Sequence, residues 1–184
     1  LRGDVYLSAA EEMAKAGIHL ANLPQIDPSE KNIADGLSGF LASSAKVQLI
    51  ADEATSELMA ELEARVGEAL MALAISATPI HDLNTDIKIA DEFYERNQGD
   101  VRRSNDEIRS LVESGMQDPT RFNALSASAT DAQRQADFFH AERMQAHEKK
   151  GAAIREYNVA LMRELKKGAE MNIFVTVAIR KGLS

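Results

Sequence analysis

The sequence predicts an all-α protein built from long amphipathic helices. Over most of the 184 residues, apolar residues recur at steps of three and four, which places them on one face of an α-helix. The alternation typical of a β-strand occurs only at residues 173–177, and that short stretch also fits a buried helix end. Clusters of Gly, Pro and Asn form two convincing breaks, so the chain divides into three helical segments.

The first segment is a helix from about residue 5 to residue 23. The break that follows it holds Pro24 and Pro28, and proline is disfavoured inside a helix. Ser29 then offers a side-chain oxygen as an N-cap, with Asn32 in place of the Glu or Gln of a capping box. We therefore predict that the second helix begins near residue 29.

The second segment, residues 29–114, carries the longest apolar stripe. One continuous helix of this length would span roughly 125 Å, whereas a compact domain of this size has a gyration radius of about 16 Å. The segment therefore folds back on itself, or the molecule is elongated. If the segment folds back, it should do so at residues 74–79, where a kink at Pro79 within the helix and a loop both remain open. The stripe consists of Ile33, Leu37, Phe40, Val47, Ile50, Ala54, Leu58, Leu62, Val66, Ala69, Leu73, Ile80, Leu83, Ile87, Ala90, Tyr94, Val101, Ile108 and Val112.

The third segment runs from about residue 121 to residue 180, after a break at residues 114–119. Gly115 can adopt the left-handed conformation that ends many helices, and Pro119 cannot continue a helix. The apolar stripe of this segment is narrow and rich in alanine, which suits a slender coiled coil. Its members include Leu125, Ala129, Ala132, Ala136, Phe139, Arg143, Ala146, Lys150, Ala153 and Tyr157.

Composition and charge exclude several classes of protein. The chain has no cysteine, which excludes a disulfide scaffold and a thiolate metal site and fits a cytoplasmic location. No apolar run reaches the roughly 18 residues of a membrane span, and no signal peptide is visible. The length suits one domain, residues 1–184, and because the sequence starts without methionine and ends directly after a helical pattern, we interpret it as cut from a longer protein. The net charge of -8 argues against a nucleic-acid partner, and the acidity lies in residues 1–87.

No motif predicts an enzyme, a metal site or a cofactor. Glycine-rich phosphate loops, a nucleophile elbow and an HExxH motif are all absent from the sequence. Ferritin-like bundles need a Glu-x-x-His on each of two helices, and the nearest match is a single stretch from Asp137 to His140. We therefore expect His140 to be an ordinary surface histidine.

Basic residues cluster at several places in the second half of the chain. One interpretation is a solvated helix surface with intrahelical salt bridges. The other is contact with lipid head groups, in which each basic residue near an anionic surface contributes about 1 kcal/mol. The candidate lipid-binding residues are Arg102, Arg103, Arg109, Arg121, Lys149 and Lys150.

The layout of helices and breaks resembles that of BAR domains, the curved dimers that bind membranes, and especially those that precede a PH domain. The resemblance implies a long antiparallel three-helix coiled coil, a homodimer and an anionic membrane surface as ligand. Some members of the family also dock small GTPases. The likeness rests on the order of helices and breaks. A leading helix with Ala-rich residues 9–17 is followed by a loop at 24–28 and by a long helix, which has Phe40-Leu41 and residues 66–70 before a kink and a second stretch over 80–103. A tip loop at 115–119 then leads to the returning helix, with residues 138–140 and 171–177.

Two functions remain open from the sequence. In the first, a dimeric BAR-like module, cytoplasmic and peripheral to membranes, senses or scaffolds curved membranes and contacts lipid phosphates through its basic patches. In the second, a helical-bundle or coiled-coil adaptor binds protein partners without direct membrane contact, through an exposed apolar groove or the acidic residues 1–87. A kink at Pro79 favours the first function and a loop favours the second.

Overall fold

A computed structural model describes the backbone of residues 2–115 and 118–183. Within these ranges the chain contains no β-strand, which confirms the predicted all-α class. The helical elements are α1 (Arg2–Asn22), α2 (Ser38–Ile50), α3 (Glu53–Glu113) and α4 (Pro119–Leu183), with 3-10 turns at Leu23–Gln25 and Asp35–Leu37.

The chain is organised as two compact units, and α3 and α4 each contribute to both. Unit 1 comprises Leu1–His81 and Ala153–Ser184, and unit 2 comprises Asp82–Ala152. The first therefore contains α1, α2, the beginning of α3 and the end of α4. The second consists of the end of α3 and the beginning of α4.

The prediction of a single helix over residues 29–114 is wrong at its start. Residues 26–34 form turns, α2 begins only at Ser38, and α2 and α3 are separated at Ala51 and Asp52. Ala51 adopts an extended conformation, and the Asp52 carboxylate accepts a hydrogen bond from the Thr55 backbone N–H at 2.8 Å. Asp52 is thus an N-cap, because it satisfies one of the amide donors left free at the start of α3.

Ser29 does not cap a helix, contrary to the prediction. Asp27 accepts hydrogen bonds from both the backbone N–H and the hydroxyl of Ser29, at 2.8 and 2.6 Å. Asn32 likewise accepts one from the backbone N–H of Ala34, at 3.0 Å. Asp and Asn favour such local turns because their short side chains reach the backbone two residues ahead. The segment after Pro28 is therefore folded as consecutive turns.

These turns are fastened to α1 by His19. Its ring Nε2 lies 2.7 Å from the carbonyl oxygen of Ile33, and because a carbonyl only accepts, Nε2 carries the proton. Gly36 packs so closely against the His19 ring that a Cβ at this position would collide with it. A glycine is needed here for close approach, and its neighbour Leu37 is buried.

Pro79 lies inside α3, so the interpretation of a loop at this position is wrong. Proline cannot donate a hydrogen bond to the carbonyl one turn earlier, which belongs to Ile75. Ile75 and Pro79 are both exposed, so water can satisfy that carbonyl. The neighbouring Ser76 and Thr78 hydroxyls donate to the carbonyls of Ala72 and Ala74, at 3.0 and 3.2 Å.

The break between α3 and α4 is confirmed at both of its described ends. Gly115 has a φ of 67°, the left-handed conformation that favours glycine after a helix. Pro119 is the first residue of α4, where its missing N–H costs nothing. Asp118 caps this helix by accepting a hydrogen bond from the Arg121 backbone N–H at 3.0 Å. The predicted break also includes Met116 and Gln117, which lie outside the described residues.

The core of unit 1 is mainly apolar and includes a buried tyrosine. Tyr157 of α4 is almost fully buried, and its hydroxyl donates a hydrogen bond to the carbonyl oxygen of Leu20, near the end of α1. α1 and α4 face each other at Gly17 and Gly168, where an added Cβ would make ordinary contacts with Leu165 and Met13. The other large, fully buried apolar side chains of this core are Leu23, Phe40, Val47, Leu62, Leu73 and Ile80.

Stability should fall at alkaline pH because of Tyr157. Burial raises the pKa of its hydroxyl to about 12, from an ordinary value of 10.0. Above pH 10 the unfolded chain loses this proton while the folded chain keeps it, so the free energy of unfolding decreases as pH rises from about 10 to 12. We expect a smaller decrease in the variant Tyr157→Phe. Urea denaturation of both proteins over that pH range measures the difference, and equal slopes would contradict the assignment.

Unit 2 is an antiparallel pair of helices with a narrow, alanine-rich seam. Ion pairs join Arg121 to Glu107 and Arg143 to Asp91, so the residue number rises on one helix as it falls on the other. Small seam residues allow the two helices to lie close together. The buried residues of this seam are Ala90, Ser104, Leu111, Ala132, Ala136 and Ala146. The alanines of the seam were predicted. Val112 was also predicted to face the other helix, but it is exposed, and its neighbour Leu111 is buried in the seam instead.

Candidate functional site

Four of the predicted lipid-binding residues are arginines, and each forms an ion pair with a carboxylate of α3. Three of these arginines belong to α3, and Arg121 belongs to α4. The ion pairs are Arg102–Glu95 at 3.9 Å, Arg103–Asp100, Arg109–Asp106 at 3.9 Å and Arg121–Glu107 at 3.7 Å. All four are exposed, and exposed pairs of this kind contribute about 0–1 kcal/mol to stability. The arginines are thus neutralised locally, but a lipid phosphate could replace a carboxylate at little cost.

The six predicted residues do not form one patch. Arg103 and Arg121 line the same open depression next to the α3–α4 break. Lys149 instead lines a groove with Asp86, which lies 17 residues before Arg103 on α3, or about 25 Å along the helix. In the described part of the chain, neither Lys149 nor the neighbouring Lys150 has a carboxylate partner. Among the six predicted residues, these two lysines are therefore the ones without a carboxylate partner in the described ranges.

The most unusual surface of unit 1 is an apolar stripe on α4 that points away from the core. Spacings of three, four and eleven residues place its members on one side of the helix, opposite the buried Tyr157, Leu161 and Val175. Ile173 and Phe174 are 62% and 61% exposed. We call this surface the outer stripe, and it consists of Val159, Met162, Ile173, Phe174 and Val177.

Charge is distributed unevenly within unit 1. Residues 153–184 hold six Lys and Arg against three Glu, a net charge of +3. Residues 1–81 hold five Lys and Arg against twelve Asp and Glu, a net charge of -7. Exposed apolar side chains also occur on the acidic helices, including Leu7 and Ile18 of α1 and Met71 and Ile75 of α3. The unit thus presents a basic apolar surface and acidic surfaces that also carry apolar residues.

Unit 2 contains a groove of about 280 Å³ between α3 and α4, which is lined by apolar, polar and charged side chains. Phe93 of α3 stacks on Phe139 of α4 at 4.7 Å between ring centroids, and Phe138 meets Phe139 edge-on at 5.2 Å. Ile89 extends the same surface and, like Phe93 and Phe138, is exposed. We call this surface the aromatic groove. Sequence reasoning missed it, although the adjacent Phe138 and Phe139 were its visible signal.

No metal centre is formed by the part of the chain that the structure describes. His140 lies 2.9 Å from the Arg143 guanidinium and near the Tyr94 ring, so it belongs to the α3–α4 contact. Arg143, which was predicted in the apolar stripe, pairs with Asp91 at 2.7 Å and covers the Tyr94 ring. Among the described residues, no helix is long and apolar enough to cross a membrane.

Comparison with family models, with curated proteins and with solved structures finds no match to this chain.

Proposed function

We propose that this chain is a dimerising helical module of the BAR type, in which long helices pair as an antiparallel coiled coil and contact anionic membranes. The observation that carries the proposal is the outer stripe, because a row of large apolar side chains exposed on a helix is typical of an interface. In the dimer, the stripe of one copy packs against a second copy. Its site of action is the cytoplasmic face of membranes, where anionic lipids are concentrated.

Charge complementarity supports a pairing between copies. Residues 153–184, which contain the outer stripe and carry a net positive charge, are suited to the acidic beginning of α3 in the other copy, which also exposes the apolar residues Met71 and Ile75. A two-fold axis repeats the same contact in the opposite direction, so one pairing removes both apolar surfaces from water. Burial of apolar area at about 25 cal/mol per Å² drives the association.

Membrane contact in this proposal is electrostatic and weak for one copy. Lys149 and Lys150 supply unpaired cations, and Arg102, Arg103, Arg109 and Arg121 add more when phosphate replaces their carboxylate partners. Each basic residue contributes about 1 kcal/mol at an anionic surface. A dimer doubles the contacts, and binding of the first copy raises the effective concentration of the second.

Reversing the charge of the two lysines should weaken membrane binding. With about 1 kcal/mol lost per cation, we expect Lys149→Glu/Lys150→Glu to bind anionic liposomes at least about tenfold more weakly. Co-sedimentation with phosphatidylserine-containing liposomes at low salt measures this. The matched control is Lys31→Glu/Lys46→Glu, which makes the same change of charge at two exposed lysines of unit 1.

The liposome experiment also separates the two candidate functions. Wild-type binding that is lost with salt and reduced only in the Lys149→Glu/Lys150→Glu variant supports membrane contact. Two results would refute the assigned lipid surface: equal binding of the two variants to anionic liposomes, or equal binding of the wild type to anionic and neutral liposomes. A dimer that binds no liposomes would leave the protein-binding adaptor as the function, with a small GTPase among the partners to test.

A further inference from the structure

The aromatic groove of unit 2 is distinct from the outer stripe, and it shares Lys149 with the proposed lipid surface. Its floor contains Leu83 and Ala90 of α3 and Phe139 and Ala146 of α4. On α4 the lining residues run from Phe138 to Lys149, eleven residues or about 16 Å of helix. This length matches about three turns of a helix lying along the groove.

The apolar part of the groove is unusually exposed for a paired helix. Phe138 and Ile89 of the lining are 56% and 46% exposed, and Phe93 beside the groove is 38% exposed, so a large apolar area remains in contact with water. The Phe93–Phe139 stack and the edge-on Phe138 contact hold the rings in a fixed arrangement before any ligand arrives. A preorganised apolar surface binds with a smaller loss of side-chain entropy than a flexible one.

Both walls of the groove carry a carboxylate. Asp86 belongs to α3 and Glu142 to α4, and neither has an ion-pair or hydrogen-bond partner in the part of the chain that is described. Lys149 is the basic residue among the lining side chains. Two carboxylates flanking an apolar floor favour a ligand with cations on both sides of an apolar ridge.

We propose that the aromatic groove binds an amphipathic helix of a partner protein, with large apolar residues on one face and Lys or Arg at its edges. Such a helix inserts anchors spaced by three or four residues into the apolar floor. Its basic edges pair with Asp86 and Glu142. The docked partner covers Phe138 and Ile89 and so removes two exposed apolar side chains of unit 2 from water.

A synthetic peptide tests the chemistry of this surface. The probe is a fluorescein-labelled Leu/Lys amphipathic helix of about 18 residues, or five turns, compared with a Leu/Glu peptide of the same pattern. Fluorescence anisotropy follows binding to the full chain. We expect the Leu/Lys peptide to bind at least about tenfold more tightly than the Leu/Glu peptide, and Asp86→Lys/Glu142→Lys to reverse this order.

Substitution of the aromatic residue locates the site. Phe138→Ser should weaken binding of the Leu/Lys peptide at least about tenfold, as expected for an aromatic anchor. Val112→Ser is the matched control, because Val112 is an exposed apolar residue of unit 2 outside the groove. No saturable binding, or equal weakening by both substitutions, would overturn the proposal. So would a loss of liposome binding by Phe138→Ser with peptide binding unchanged, since the groove would then contact lipid.

Discussion

The double variant Ile173→Ser/Phe174→Ser is expected to be monomeric at concentrations where the wild-type chain is a dimer. Both side chains belong to the outer stripe, and more than half of each is exposed within a single copy. Truncated interface anchors cost about 2 kcal/mol or more each. We therefore expect the dimer Kd to rise at least about 100-fold, as measured by sedimentation velocity over a concentration series.

The reason to expect an intact fold in this variant is that neither residue is part of the core. Substitutions at exposed positions usually change stability by less than about 0.5 kcal/mol. Val112→Ser makes the same kind of change in unit 2 and should leave the Kd unaltered. If both proteins dissociate alike, or if the stripe variant remains as tight a dimer as the wild type, the interface lies elsewhere.

Removing the Tyr157 side chain should cause a large loss of stability in unit 1. Tyr157 is 1% exposed, and its hydroxyl is the donor that satisfies the Leu20 carbonyl in the core of that unit. An aromatic residue truncated to alanine in a core costs about 3–5 kcal/mol. We expect Tyr157→Ala to lower the free energy of unfolding by that amount, as measured by urea denaturation.

Two further variants separate the ring from the hydroxyl. Tyr157→Phe keeps the packing but leaves the Leu20 carbonyl without its donor, so a loss of about 1–3 kcal/mol is expected. The exposed neighbour Asn158, changed to alanine, is the control and should be nearly neutral. If Tyr157→Ala is as stable as Asn158→Ala, the α1–α4 contact at Leu20 is not part of the core.

The helical class and the main breaks were predictable because local chemistry determines them. Gly115 and Pro119 end one helix and begin another through their own backbone preferences, which do not depend on tertiary contacts. The alanine seam at Ala132, Ala136 and Ala146 was visible for a similar reason, because its spacing alone defines one side of a helix.

The break at Ala51 and Asp52 was not predictable from the apolar pattern. The predicted stripe passes through Ile50 and Ala54 as if one helix continued, although Ile50 is only half-buried and Ala54 is exposed. The N-cap bond from the Thr55 amide to Asp52 exists only once the chain has turned there. Asp can also occupy an exposed position within a helix, so its identity alone does not mark a helix start.

The interaction surfaces were only partly predictable, for two physical reasons. The arginine clusters were visible in the sequence. The ion pair between Arg121 and Glu107 was not, because it joins two helices and depends on how α3 packs against α4. The end of α4 is apolar on two sides, and periodicity does not show which side faces the core. Tyr157 and Val175 proved to be buried, while Phe174 lies on the exposed stripe.

The mass of the wild-type chain in solution tests the central claim most directly, because both the interface and the membrane contact depend on a dimer. Sedimentation equilibrium over a wide micromolar range gives this mass without reference to molecular shape. We predict twice the chain mass of 20.1 kDa, with dissociation only on dilution. A constant mass of 20.1 kDa up to the highest concentration would contradict the dimer and leave the outer stripe without its proposed partner.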